Sequence, residues 1–382
     1  MSELNETPKG SRIHIAFFGL RNAGKSTLVN AFCGQDIAIV SDVAGTTTDP
    51  VSKAMEILPL GPCLITDTAG LDDIGELGEM RVKKTLSVLA TTDIAVWVDA
   101  PGAGDEFARR SAFMAECAAR RVTVLEFHRG DSVDELKKRI ASLKIAEIQR
   151  PLLDGIVKPG DRIILVCPID ESAPKGRLIL PQVQMIRECL DLHATCAVCQ
   201  PSELAAILAS GNYDLVITDS QAFGEVRRIM AATSPATPLT SFSILYARQK
   251  GDLDEYAKGV AAIASLNDGD TVLIAEGCTH HRQCNDIGTV KLPKALAKLS
   301  GKKLNFIFSS GADFPVPPPP QSPNCKLSLI VQCGGCMLNR REVMRRIDLA
   351  KSANIPIANY GMVLGAVNGM TLSPGSPFIK FA

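Results

Sequence analysis

Two sets of residues in this 382-residue chain have the types and spacing of chemistry. The first is Gly19-Leu20-Arg21-Asn22-Ala23-Gly24-Lys25-Ser26, which fits the phosphate-loop pattern in full. Glycines let the backbone wrap a phosphate, and the N–H groups of the loop supply positive potential. The lysine reaches the β- and γ-phosphates, and the serine hydroxyl binds Mg²⁺. Gly19, Asn22, Ala23, Gly24, Lys25, Ser26 and Thr27 are therefore the expected nucleotide contacts. The second set is Cys278-Thr279-His280 with Cys333-Gly334-Gly335-Cys336 far downstream. Three thiols and an imidazole suit a tetrahedral Zn²⁺, and three thiolates suit a [4Fe–4S] cluster with one iron left open. Donor type alone does not choose between them.

Further motifs extend the first set. Gly45-Thr46-Thr47-Thr48-Asp49 stands where a switch loop gives a threonine to Mg²⁺, so Thr46 and Thr47 join the site. Asp67-Thr68-Ala69-Gly70 closes a strand, with Asp67 placed to hold Mg²⁺ through water and the Gly70 N–H to sense a γ-phosphate. Three motifs in this order point to a nucleotide-dependent switch. The guanine motif departs from the usual Asn-Lys-x-Asp: here it reads His128-Arg129-Gly130-Asp131. Asp131 can still accept from guanine, whereas His128 and Arg129 are poor replacements. Cys196 and Cys199 fall in an expected strand, where alternation sends them to opposite faces, so they read as buried thiols. Cys284, six residues after Cys278, is either a structural thiol or an extra ligand, and His281 reads as a neighbour of the thiol set.

These residues must be positioned by alternating strands and helices. Strands are expected at 12–18, 54–59, 62–66, 93–99 and 122–127, with helices at 26–32, 76–89, 108–119 and 136–143. No further strand is evident in this part, and 150–160 reads as a linker. Strands follow at 162–167, 194–198, 213–218 and 240–246, and helices at 181–191, 201–209 and 221–231. The last part has strands at 271–275 and 326–331, a proline run at 315–320 that reads as an extended connection, and an amphipathic helix at 341–352. The fold class is thus α/β: a doubly wound phosphate-loop sheet in 1–150, then two smaller parallel α/β domains, 151–265 and 266–382. Composition agrees, at 46% hydrophobic and only 5% aromatic. Lys+Arg and Asp+Glu both number 41, which argues against nucleic acid or an anionic membrane as partner. With no spanning run and no signal-like start, the expected location is the cytoplasm. The 12 cysteines are then mostly reduced thiols rather than a disulfide framework.

The first portion resembles the tRNA-modification and Era-type GTPases. Leu71 follows the Asp67–Gly70 motif where Ras-like enzymes keep a catalytic glutamine, and Asn22 occupies the position that coordinates K⁺ in that group. The resemblance implies K⁺-assisted hydrolysis, with Lys25, Thr47 and Asn22 carrying it. The whole chain is similar to the HydF family of [FeFe]-hydrogenase maturation GTPases. The residues that carry this are Ser41-Asp42 to Pro50-Val51, Pro168-Ile169-Asp170 with Ala173-Pro174-Lys175-Gly176-Arg177, Ile217-Thr218-Asp219-Ser220-Gln221, Glu276-Gly277-Cys278-Thr279-His280 and Cys333-Gly334-Gly335-Cys336 with Leu338-Asn339-Arg340. Gln332 stands where family members usually carry histidine. The resemblance implies GTP, Mg²⁺ and a [4Fe–4S] cluster on Cys278, Cys333 and Cys336, with His280 a labile or nearby group. It also implies a homodimer made by the middle domain, two radical-SAM maturases as partners, and delivery of a diiron precursor to apo-hydrogenase. Two other readings use the same residues: a non-enzymatic metallo-scaffold with a degenerate nucleotide domain, and a zinc-binding GTPase acting on tRNA or the ribosome.

Overall fold

A computed structural model describes residues 7–34, 50–72, 76–100, 106–143, 151–169, 176, 178–278, 286–311, 314–315, 327–372 and 376–381. The expected switch loop with Thr46 and Thr47, His280, His281, Cys284 and most of the proline run lie outside these residues. The chain divides into two compact units, 1–149 and 150–382.

The first unit is built on β1 (Ile13–Gly19), α1 (Lys25–Cys33), β2 (Val51–Ile57), β3 (Gly61–Asp67), α2 (Glu76–Leu89), β4 (Ile94–Val98), α3 (Glu106–Ala119), β5 (Thr123–Phe127) and α4 (Val133–Ala141). The sheet order is β2-β3-β1-β4-β5. Only β2 runs antiparallel, on β3. The apolar runs Ile13–Phe18 and Ile94–Val98 are buried throughout, as central strands covered on both faces must be. One face packs Phe17 on Phe32 of α1, and the other stacks Phe18 and Trp97 against Phe113 of α3. Sandwiched this way, β1 delivers the phosphate loop from a rigid base.

The second unit carries two four-stranded parallel sheets. The first comprises β6 (Arg162–Val166), α5 (Leu180–Asp191), β7 (Thr195–Cys199), α6 (Leu204–Ala209), β8 (Leu215–Thr218), α7 (Phe223–Thr233) and β9 (Leu239–Ser241), in strand order β7-β6-β8-β9. Then come α8 (Phe242–Lys250) and α9 (Leu253–Ala262). The second sheet follows with β10 (Thr271–Ala275), α10 (Leu292–Ser300), β11 (Asn305–Ser309), β12 (Leu327–Gln332), α11 (Arg340–Ser352), β13 (Ile357–Asn359) and α12 (Tyr360–Val367), in strand order β11-β10-β12-β13. A short antiparallel pair, β14 (Met370–Leu372) and β15 (Ile379–Phe381), ends the chain. One hydrophobic cluster joins both sheets, running from Ile164 and Val216 to Leu273, Ile330 and Ile347.

The α/β class with parallel sheets stands as expected, and two local expectations change. Residues 240–246 are not a strand: Ser241 caps α8, its hydroxyl accepting from the Ile244 N–H, so the chain turns helical after three strand residues. The segment 150–160 is not a loose linker. Leu152, Leu153 and Val157 are buried, and the Glu188 carboxylate accepts from the Leu152 and Leu153 N–H groups at 2.8 and 2.9 Å. Cys196 and Cys199 do face opposite ways, one against the cluster holding Leu153 and the other in the shared core. No helix among the described residues is long and apolar enough to cross a membrane.

Leu153 has no exposed surface, so Leu153→Ala should destabilise the folded chain by about 2–5 kcal/mol. A lower midpoint in denaturant unfolding checks this. An unchanged midpoint would mark the segment as a true linker.

Candidate nucleotide and thiol sites

Strand β1 ends on Gly19, and the loop that follows closes on α1 at Lys25. Asn22 takes a left-handed φ of 60°, the conformation that wraps the loop back on itself. Lys25 is buried and its Nζ donates to the Gly19 and Leu20 carbonyls at 3.3 and 2.7 Å. The ammonium is thereby held across the loop's mouth. The Ser26 hydroxyl donates to Asp67 Oδ2 at 2.6 Å, bringing together the two expected Mg²⁺ residues from α1 and β3. Asp67 has no exposed surface, and among the described residues its Oδ1 has no hydrogen-bond partner. Burial raises its pKa against the pull of Ser26 and Lys25. A buried carboxylate oxygen left without a donor fits a site completed by a hydrated cation.

Gly70 lies against the loop: a Cβ there would stand 2.7 Å from the Arg21 nitrogen, so only glycine permits this approach. The Arg21 N–H donates to Asp72 Oδ1 at 2.5 Å. At the base-binding end the His128 N–H donates to Asp131 Oδ2 at 2.8 Å. The His128 ring pairs with Asp99, which follows β4. That bond is the largest cause raising the imidazole above its ordinary 6.5, ahead of the weaker opposing effect of burial. Sequence reasoning missed Asp99. Its signal was an acid at the carboxyl end of a buried strand, beside the guanine motif. Thr27 is exposed on α1.

The thiol site lies in the second unit. Strands β10 and β12 are neighbours, and the chain leaves β10 for β11 on one side before returning to β12 on the other. A crevice at the carboxyl ends of such a strand pair is where open parallel sheets bind ligands. Cys278 follows β10 and Cys333 follows β12, so the topology itself gathers the cysteines. Glycine is required beside them, because a Cβ on Gly277 would sit 2.6 Å from the Leu338 side chain. The Gly277 N–H donates to Cys333 Sγ at 3.1 Å. Burial first, then Cys333 and Cys336, push the Cys278 thiol up to about 12. Cys336 rises to about 11, again by burial and then by Cys333. The three thiols therefore feel one another. Among the described residues no three His, Cys, Asp or Glu side chains converge as ligands of a single ion.

The surroundings hold residues that spacing could not reveal. Lys250 of α8 is buried, and its Nζ donates to the Gly335, Cys336 and Leu338 carbonyls at 3.0, 3.2 and 2.6 Å. Burial lowers this lysine to about 8, opposed by Cys336 and Cys333. Arg346 of α11 is fully buried on Glu342 and exerts a lowering effect on Cys333. Gln332, also fully buried, donates through Nε2 to the Tyr256 hydroxyl at 3.3 Å. The donor set suits an iron–sulfur cluster: three thiols, N–H groups aimed at sulfur, and buried cations nearby.

Three family models match the chain in sequence. Residues 14–147 match a 50S ribosome-binding GTPase model, residues 152–251 the hydrogen maturase F dimerization domain, and residues 254–373 the hydrogen maturase F tetramerization domain. The tRNA modification GTPase MnmE of Endomicrobium trichonymphae is 41% identical over 88 residues, 22% of this chain and 19% of its own. The GTPase Der of Wolinella succinogenes is 40% identical over 101 residues, 26% of this chain and 21% of its own. The chain thus spans about a fifth of the length of these relatives. Toc33 from Arabidopsis thaliana, in complex with GDP and Mg²⁺, aligns over 34% of this chain and 58% of its own at 17% identity, with a TM-score of 0.25.

The His128–Asp99 pair sets a sign for pH. An imidazole raised in the folded state adds stability below its ordinary value of 6.5 and loses it as pH rises through the raised value. NMR titration of His128 should give a value above 6.5, and Asp99→Asn should bring it down. Identical titration curves in the two proteins would remove Asp99 as the cause.

Proposed function

Because the chain belongs to the hydrogen maturase F family, two of whose domain models together match more than half of it, we propose that it is a GTP-hydrolysing iron–sulfur scaffold that hosts a diiron precursor and delivers it to apo-[FeFe]-hydrogenase. The observation that carries this reading is that Cys278 and Cys333 follow the neighbouring strands β10 and β12, near enough that Cys333 and Cys336 both act on the Cys278 thiol. Those three thiolates would hold the cluster, with His280 beside it. When bound, a cluster held by three cysteines supplies one iron that no cysteine occupies, where the diiron substrate can be received. The chain's own residues do the rest. Gly277 donates an N–H to Cys333, and the buried cations Lys250 and Arg346 offset negative charge on sulfur.

In the first unit the loop N–H groups and Lys25 would bind the phosphates of GTP. Ser26, Asp67 and Thr47 would hold Mg²⁺, with Thr46 beside Thr47 in the nucleotide site, and the Gly70 N–H would sense the γ-phosphate. Asn22 would place a K⁺ where other GTPases use an arginine, with Leu71 taking no part in orienting water. Asp131 keeps an acceptor for guanine. Hydrolysis would then drive partner exchange, with radical-SAM maturases and the apo-hydrogenase as cytoplasmic partners, rather than the cluster chemistry. A homodimer would use β7, the edge of its sheet among the described residues, where Val198 is 44% exposed; Leu190 of α5 is 64% exposed. A second reading is favoured by one observation: His128 is bound to Asp99 instead of serving as the usual asparagine. On that reading the nucleotide domain only docks.

Turnover separates the two. The purified protein should hydrolyse GTP in preference to ATP, and faster in K⁺ than in Na⁺; no GTP turnover in K⁺ would favour docking. The metal reading is checked by analysis after anaerobic reconstitution. Wild type should hold about four iron and four sulfide per chain. Cys333→Ser should lose most of both, and equal contents in the two proteins would displace Cys333 as a ligand.

A further inference from the structure

We propose that Lys250 is a positioning residue of the thiol site: it fixes the peptide planes of the Cys333–Cys336 turn so that their N–H groups face sulfur, and it places a buried positive charge against the cluster. The proposal rests on the reading that these thiols hold an iron–sulfur cluster.

An ammonium has three N–H donors. Lys250 gives bonds to three carbonyls of one turn, those of Gly335, Cys336 and Leu338. The consequence follows from the planarity of the peptide unit. A trans peptide points its C=O and its N–H in opposite directions. The unit that offers the Cys336 carbonyl to Lys250 therefore aims the Met337 N–H the other way. That N–H is the one bonded to the Cys336 sulfur. The unit that offers the Gly335 carbonyl likewise carries the Cys336 N–H, which is bonded to the same Cys336 sulfur. Gripping the carbonyls and presenting the N–H groups are one constraint seen from two sides. Each N–H lost from sulfur, and the cation itself, would have to be replaced before thiolates could be buried there.

The rest of α8 is tied to the same region. The Arg340 Nη1 donates to the Gln249 carbonyl at 2.8 Å, and the Ser243 hydroxyl donates to Asn359 Oδ1 at 3.1 Å. Gly334 stands over Ser243, where a Cβ would lie 3.3 Å from the hydroxyl. The helix that supplies Lys250 lies within the stretch matched by the dimerization model, whereas the turn it grips lies within the tetramerization model. The cluster site is thus built from both.

The test compares full-length wild type with Lys250→Met, Lys250→Gln and Lys250→Arg after anaerobic reconstitution with iron and sulfide. The readouts are iron loss to a ferrous chelator and the reduction potential followed by EPR. Met and Gln should release iron about 10–100-fold faster than wild type, the range for lost outer partners of a metal site. Their clusters should be reduced at more negative potential, and Arg should restore the potential. Wild-type release and potential in folded Met and Gln variants would overturn the proposal. So would unfolding of both in the cluster-free state by circular dichroism, since Lys250 would then serve the fold and not the cluster. A wild type that takes up no iron would overturn the iron–sulfur reading itself, and this proposal with it.

Discussion

An anion enters a protein interior only where N–H groups and cations replace the water it gives up. That constraint governs both candidate sites of this chain. Parallel strands satisfy it at their carboxyl ends, where loops and helix N-termini turn their N–H groups outward. At the end of β1 the fold presents a phosphate loop with Lys25 held across it. At the ends of β10 and β12 it presents three thiols with Lys250 beneath the turn that carries two of them. The first site is prepared for phosphate oxygen and the second for sulfur, by the same means.

The two sites differ in how they are supported. The phosphate loop is local: strand, loop and helix are consecutive, and Asp67 arrives from the neighbouring β3. The thiol site is assembled across long stretches of chain. Cys278 and Cys333 come together because β12 lies beside β10, and Lys250 reaches the turn from a helix 86 positions before Cys336. Such a site needs the shared hydrophobic core that fuses both sheets of the second unit. Its cohesion is non-local, so damage far from the cysteines should reach it.

This difference explains what was legible in the sequence. The phosphate loop and Asp67 could be read because their chemistry requires contiguous residues in fixed order. The cysteines could be read from type and spacing, and the α/β alternation from buried apolar runs such as Ile94–Val98. Lys250 could not be read. The stretch 240–246 has the apolar and β-branched content of a strand, and only the Ser241 cap shows that a helix begins there. Leu152 and Leu153 hid behind a proline and glycines that suggest a linker, because the acceptor that binds them in, Glu188, lies on a later helix. Asp99 and His128 meet across neighbouring strand ends, a pairing that needs the β4–β5 register.

The central claim is that Cys278, Cys333 and Cys336 hold a four-iron cluster. Mössbauer spectroscopy of iron-labelled wild-type protein, reconstituted anaerobically at full length, tests it most directly. The account predicts the mixed-valence spectrum of an oxidised [4Fe–4S] cluster, with one iron site that changes when an exogenous ligand is added. A protein that stays colourless, takes up zinc in place of iron and shows no cluster spectrum would contradict it.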